Sequence, residues 1–190
     1  MAPIIALQPA TYGPMFSIIV LTQSGDVHAS PSSEAVARTL AALVPGAISG
    51  VIRDVTLASM EKSIDIEHIA DHAGCELVTA GTWIETVRLA LRTAREPKVF
   101  ALLAGFAPEN GFYEELSDLG WSGALKTSRL LERPETALQR LVPFLTPLAG
   151  VAASKDKFVI ADGSNFRSWA GRLGRMDTMR TRARRVESGT

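Results

Sequence analysis

Phe16-Ser-Ile-Ile-Val-Leu-Thr22 decides the fold. It is apolar except for Ser17 and Thr22, and rich in β-branched side chains. It ends in a polar, glycine-containing stretch, Gln23 to Ala29. A run this short and this continuous predicts a strand buried on both faces. Such strands belong to sheets covered by helices on both sides. The flanking sequence should therefore alternate between helical and strand periodicity.

It does so outward from Thr22. Ser30-Pro31 is a helix-start signal. Val36, Leu40, Leu43 and Val44 then form one apolar helix face, and Pro45-Gly46 predicts its stop. Val51 to Ala58 contains a second strand. Asp65 to Ala73 reads as a helix, which Gly74 ends in a left-handed conformation. Cys75 to Val78 is a third strand. Thr82 caps a helix whose apolar positions are Trp83, Val87, Ala90, Leu91 and Ala94, and Pro97 ends it. Val99 to Leu103 is a fourth strand, apolar throughout. Gly105 to Gly111 reads as a loop and Phe112 to Leu119 as a helix. The alternation predicts βαβ units in an α/β, Rossmann-like single domain with a mainly parallel sheet. Beyond Gly120 the rhythm changes. A strand is expected within Ala124–Leu131, a helix from Pro134 to about Leu145, another strand within Gly150–Ala161, and a basic closing helix at about 169–186. Residues 1–14 read as an irregular arm before a domain spanning 15–186.

Composition narrows the class. Of 190 residues, 46% are hydrophobic and 21% charged, ordinary globular values for a chain long enough to fold without disulfide or metal. Cys75 is the only cysteine, which suits a reducing compartment. The arm lacks Lys and Arg and is broken by Pro3, Pro9 and Pro14, a poor signal peptide. The run Phe16–Leu21 falls far short of the roughly 20 residues needed to span a bilayer. A cytoplasmic protein is expected, with peripheral contact to the inner membrane face as an option. Charge is uneven: residues 1–154 hold 11 basic and 16 acidic residues, and residues 155–190 hold 9 and 4. Arg172, Arg175, Arg182 and Arg185 would share one stripe of the closing helix, with Trp169, Leu173 and Met176 packed on the domain. That stripe is either a solvated face, a surface for anionic lipid, or a contact for a phosphate-bearing ligand. Aromatic residues are too sparse around it for a nucleic-acid stacking platform, so no nucleic acid is expected.

Other constellations carry little chemistry. His68 and His72 lie four apart on one helix with Cys75 beyond its end, a spacing that can clamp a metal. Solvated histidines at a helix end are the favoured reading, with no metal expected, and Cys75 reads as a core residue. No Gly-x-Ser-x-Gly elbow and no phosphate-loop fingerprint occurs.

The order of elements around "FSIIVLT" (Phe16–Thr22), "ARTLAALVPGAISGVIRDVTLA" (Ala37–Ala58), "IADHAGC" (Ile69–Cys75) and "WAGRLGRMDTMRTRARRV" (Trp169–Val186) resembles family 2 glycosyltransferases of the A-type fold, in a short bacterial subgroup. The resemblance implies a nucleotide-diphospho-sugar transferase-like fold and a relation to enzymes that move a sugar from a nucleotide-sugar to an acceptor hydroxyl. In such enzymes an acidic residue after the second strand contacts the nucleotide. An Asp-x-Asp after the fourth strand brings Mg²⁺ or Mn²⁺ to the diphosphate, and a later carboxylate takes the acceptor proton. This sequence departs at all three places. Ser59 stands at the nucleotide position, with Thr22 the matching position after the first strand. Leu103-Ala104-Gly105-Phe106-Ala107-Pro108 offers no carboxylate before Glu109. Asp162 is the nearest candidate for the base. The resemblance thus implies altered or lost activity, with Mg²⁺ or Mn²⁺ needed only where activity is retained. The alternative is a non-enzymatic module that uses the scaffold to bind a partner protein or an anionic membrane surface.

Overall fold

The computed structural model describes residues 13, 15–23, 31–122, 124–141, 146–161 and 163–186. The elements run β1 (Phe16–Leu21), α1 (Ser33–Ile48), β2 (Ile52–Ser59), α2 (Ile64–Ala73), β3 (Glu76–Thr79), α3 (Trp83–Thr93), β4 (Lys98–Leu103), β5 (Phe106–Pro108), α4 (Phe112–Trp121), β6 (Ser128–Glu132), α5 (Ala137–Leu141), β7 (Leu148–Ser154), α6 (Lys155–Ile160), α7 (Phe166–Gly171) and β8 (Asp177–Arg185). The strands form one eight-stranded sheet in the order β3-β2-β1-β4-β7-β6-β8-β5. Its first half, β3-β2-β1-β4, is wholly parallel. In the second half β7 runs antiparallel to both β4 and β6, β8 parallel to β6, and β5 antiparallel to β8.

All six residues of β1 are buried, because β1 lies between β2 and β4 with helices on both faces. One face carries Val36, Leu40, Leu43, Ile66, Phe112 and Leu116 from α1, α2 and α4. The other carries Trp83, Val87, Leu91, Phe158, Phe166 and Trp169 from α3, α6 and α7. Alternate residues of β1 serve the two layers: Ile18 and Val20 the first, Ile19 and Leu21 the second.

Local signals hold where they are strong. Gly74 ends α2 at φ +66°, and the Thr82 hydroxyl accepts from the Glu85 amide to cap α3. Ser30 lies outside the described residues, and the cap of α1 is Ser32, whose Oγ accepts from Ala35 N at 3.2 Å.

Four expectations are corrected. Pro45-Gly46 does not stop α1, which runs to Ile48. Pro45 stands in the last turn, and the end is made by Ser49 N to Pro45 O and Val51 N to Gly46 O. Gly46 is required there for packing, since a Cβ would lie 2.6 Å from Ile52 Cδ1. The loop 105–111 contains β5, a short edge strand on β8. The helix expected from Pro134 starts at Ala137 as α5, and residues 142–145 lie outside the described residues.

The largest correction is the closing helix. Residues 169–186 are the end of α7, a turn through Gly174 at φ +86°, and the nine-residue strand β8. Met179 and Ala183 are buried and Thr181 half-buried, while Thr178, Arg180 and Arg184 are exposed. The true period is two, and pairing with β6 and β5 overrides the helix preference of the arginines. Trp169 and Leu173 are buried and Met176 packs against the same layer, but from a short helix and a turn.

The mixed half is fastened by carboxylates. Glu132 is buried at the end of β6 and accepts from Arg185 Nε at 2.9 Å and Nη2 at 3.1 Å. Arg185 also lies over the Phe106 ring, 5.4 Å from its centroid. Glu115 on α4 accepts from Arg180 N (2.7 Å), Thr181 N (2.9 Å) and Thr181 Oγ1 (2.7 Å) of β8. Burial pushes its carboxyl up. The two backbone amides, the Thr181 hydroxyl and the Arg180 guanidinium outweigh that and hold it below the usual carboxylate range.

Candidate functional site

In an open parallel sheet, ligands bind outside the carboxyl ends of the strands where the strand order reverses. Here β1 is flanked by β2 and β4, so that point lies at the ends of β1, β2 and β4. The register pairs Leu21 with both Ala58 and Leu103. Thr22 and Ser59, the two nucleotide-side expectations, therefore stand on adjacent strand ends. Thr22 N donates to Ala58 O at 3.0 Å, and Thr22 Oγ1 donates to the same carbonyl at 3.3 Å. Ser59 Oγ donates to Glu61 O at 2.8 Å. Both residues are 4% exposed, so each hydroxyl shapes the floor of the edge. Gln23, which sequence reasoning passed over, ties the two strand ends together: its Oε1 accepts from Met60 N at 3.1 Å. Its position directly after β1 was the available signal.

The turn after β4 is the third wall. Ala104 N donates to Leu21 O at 2.9 Å, and Val186 N donates to Gly105 O at 2.8 Å. Gly105 adopts φ +88° and its N–H donates to Thr39 Oγ1 at 3.0 Å. Thr39 is a buried polar residue on the apolar face of α1. Only its place beside Leu40 and Leu43 in the sequence hinted at a partner inside the domain. Ala104 and Phe106 are each 8% exposed and belong to the core. The turn spends its polar groups on the fold and presents no carboxylate.

Glu109 sits past the far end of β5. Its N–H donates to Arg182 O at 2.9 Å, and its carboxylate lies 3.5 Å from Arg133 Nη1. Asp162, the candidate base, lies outside the described residues. Among the described residues no group of three or more His, Cys, Asp or Glu could hold a metal. Cys75 is half-buried; burial pushes its thiol up, the nearby Asp71 adds to this, and its backbone hydrogen bond opposes it.

The arginines expected on one stripe are dispersed. Arg172 and Arg175 are exposed on the turn after α7. Arg182 donates to Met179 O and Thr181 O, and Arg185 is committed to Glu132. Part of the charge asymmetry is thus internal, with Arg180 and Arg185 of β8 paired to Glu115 and Glu132 earlier in the chain. No helix among the described residues is long and apolar enough to cross a membrane.

No protein-family profile matches the sequence, and no curated protein matches it. Solved structures do match. Glucosyl-3-phosphoglycerate synthase from Mycobacterium tuberculosis, in complex with phosphoglyceric acid, superposes with a TM-score of 0.63 at 13% identity, over 93% of this chain and 74% of that one. The same enzyme with Mn²⁺, uridine-diphosphate-glucose and phosphoglyceric acid gives 0.62 at 14% identity, over 85% and 64%. A structure described only as a mycobacterial protein gives 0.60 at 14%, over 85% and 60%. The chain has the fold of sugar-nucleotide glycosyltransferases, and it spans less than two thirds of the length of the latter two.

Proposed function

We propose that this domain binds a nucleoside diphosphate or nucleotide-sugar at the joined ends of β1, β2 and β4, and that it does so without metal-dependent sugar transfer. The fold supports the first part, since structures of similar fold were solved with uridine diphosphate, uridine-diphosphate-glucose and Mn²⁺. Thr22, Gln23 and Ser59 would form the nucleotide side of the cleft. The second part is carried by one observation: the turn after β4 holds Ala104, Gly105 and Phe106, two of them buried and the third bonded to Thr39. A divalent cation at a diphosphate needs hard oxygen ligands from the protein, and this turn supplies none from side chains. Without the cation, charge on a departing diphosphate lacks its usual counterweight. The domain then acts as a binding module built on a transferase scaffold.

The test is thermal shift with uridine diphosphate and uridine-diphosphate-glucose, each with Mn²⁺ and with EDTA, beside an assay for glucose release. A ligand that binds only the folded state raises the melting temperature. The expected result is a nucleotide-dependent shift, equal in Mn²⁺ and EDTA, with no glucose released. Release of glucose that requires Mn²⁺ would refute the loss of metal-dependent transfer.

A further inference from the structure

Beyond the β3–α3 turn lies an open cavity of about 510 Å³ lined by Thr82, Trp83, Ile84, Gly163, Ser164 and Arg172. The turn leading to Thr82 is tied to the end of β2, since Ala80 N donates to Ser59 O at 3.3 Å and Thr86 Oγ1 donates to Ala80 O at 3.0 Å. Its chemistry differs from that of the cleft. Among the described residues no carboxylate lines it. Its one ionisable side chain is Arg172, which is exposed and forms no ion pair with a described residue. Ser164 adds a hydroxyl, whereas Thr82 Oγ1 donates to Glu85 Oε2 at 2.8 Å and accepts from Glu85 N, so it has no hydrogen left for a ligand. The wall includes Trp83, which is 6% exposed and whose indole nitrogen has no partner among the described residues. The opposite wall is built closely: a Cβ on Gly163 would lie 2.5 Å from Trp169 N and 2.9 Å from Ser168 Oγ. A larger residue there would displace the segment that carries Ser164.

We infer that this cavity is an oxyanion site, in which Arg172 and Ser164 hold the phosphate of a phosphorylated small molecule. A guanidinium presents paired N–H donors that match phosphate oxygens, and an arginine with no ion pair to a described residue is available for that role. The cavity exceeds what a bare phosphate fills and lies within the size range of small-molecule sites. The phosphate could belong to a sugar phosphate or to the diphosphate of a nucleotide reaching across from Ser59. The assignment stands on the cavity and its charge, whether or not nucleotide occupies the neighbouring cleft.

The experiment is isothermal titration of the full chain with inorganic phosphate, glucose 1-phosphate and uridine diphosphate in EDTA at low salt. Wild type is compared with Arg172→Ala, Arg172→Lys and Ser164→Ala. Arg175→Ala, an exposed arginine outside the cavity lining, reports on diffuse charge, and thermal unfolding confirms that each variant is folded. Saturable binding of phosphate or glucose 1-phosphate is expected, weakened at least tenfold by Arg172→Ala, partly restored by lysine, and unchanged in Arg175→Ala. If uridine diphosphate weakens in parallel, the site takes a nucleotide's phosphate; if it does not, the site takes a separate phosphorylated molecule. Absence of saturable phosphate and glucose 1-phosphate binding, or equal loss in Arg172→Ala and Arg175→Ala, would overturn the assignment.

Discussion

The two halves of the sheet are held by different physics. In β3-β2-β1-β4 the strands are parallel and largely sandwiched between two apolar layers, and β1 has no exposed residue. In β7-β6-β8-β5 the strands are mixed, and side chains fasten them: Glu132 to Arg185, Glu115 to the β8 backbone, Glu109 to Arg133. Burial of apolar surface is non-directional and tolerates local change. A carboxylate clamp is directional and depends on protonation. The first half should therefore respond to lost volume and the second to lost charge.

The largest effect is expected at the seam. Phe100 on β4 is fully buried, 5.0 Å from the Phe112 ring, and it fills the space that Gly150 on β7 leaves open. Phe100→Ala should destabilise the domain by about 3–5 kcal/mol in chemical denaturation. A loss below 1 kcal/mol would mean that the halves do not share a core.

Glu115→Ala comes next. It removes three hydrogen bonds to a carboxylate and should cost about 1.5–3 kcal/mol at neutral pH. Because the folded carboxyl lies below its unfolded value, its contribution is present above the unfolded value of about 4.3 and is lost as pH falls through the folded one. The gap between wild type and variant should narrow on acidification. A pH-independent gap would show that Glu115 acts by packing alone.

Glu132→Gln keeps the shape of the side chain and removes its charge. Arg185 is half exposed and can turn to water, so the expected cost is about 1 kcal/mol. Hydrogen exchange should localise it, with β8 and β5 amides exchanging faster and β1 unchanged. Equal acceleration in β1 would erase the distinction between the halves.

Tyr113→Phe is the smallest, about 0.5 kcal/mol at neutral pH. The hydroxyl donates to Ala42 O, and burial pushes its pKa up to about 12. Its contribution is complete below the unfolded value of about 10 and is lost as pH rises through 12. Stability of the phenylalanine variant should vary less across that interval, as followed by alkaline unfolding.

The same contrast explains what the sequence disclosed. The parallel half announces itself because apolar runs such as Phe16–Leu21 and Val99–Leu103 have one physical explanation, and because Gly74 and Thr82 act on their own neighbours. β8 did not, because Arg180, Arg182, Arg184 and Arg185 fit a helix by intrinsic preference, and only strand partners 49 to 79 residues away make them a strand. Thr22 and Ser59 were named from the family resemblance, and the register sets them on adjacent strand ends. Gln23 and Thr39 were not, since one side-chain hydrogen bond across the fold leaves no periodic trace. The corrected turn after β4 was legible as a lack of carboxylates, but its closure through Thr39 and Val186 required coordinates.

The central claim, a nucleotide cleft that works without metal, is tested most directly by amide chemical-shift mapping of uridine diphosphate binding. In EDTA, the amides of Thr22, Ser59 and Ala80 should shift in a saturable manner, and added Mn²⁺ should cause no selective broadening at Ala104 or Gly105. Shifts that require a divalent cation, or Mn²⁺ broadening centred on the Ala104–Glu109 segment, would contradict it.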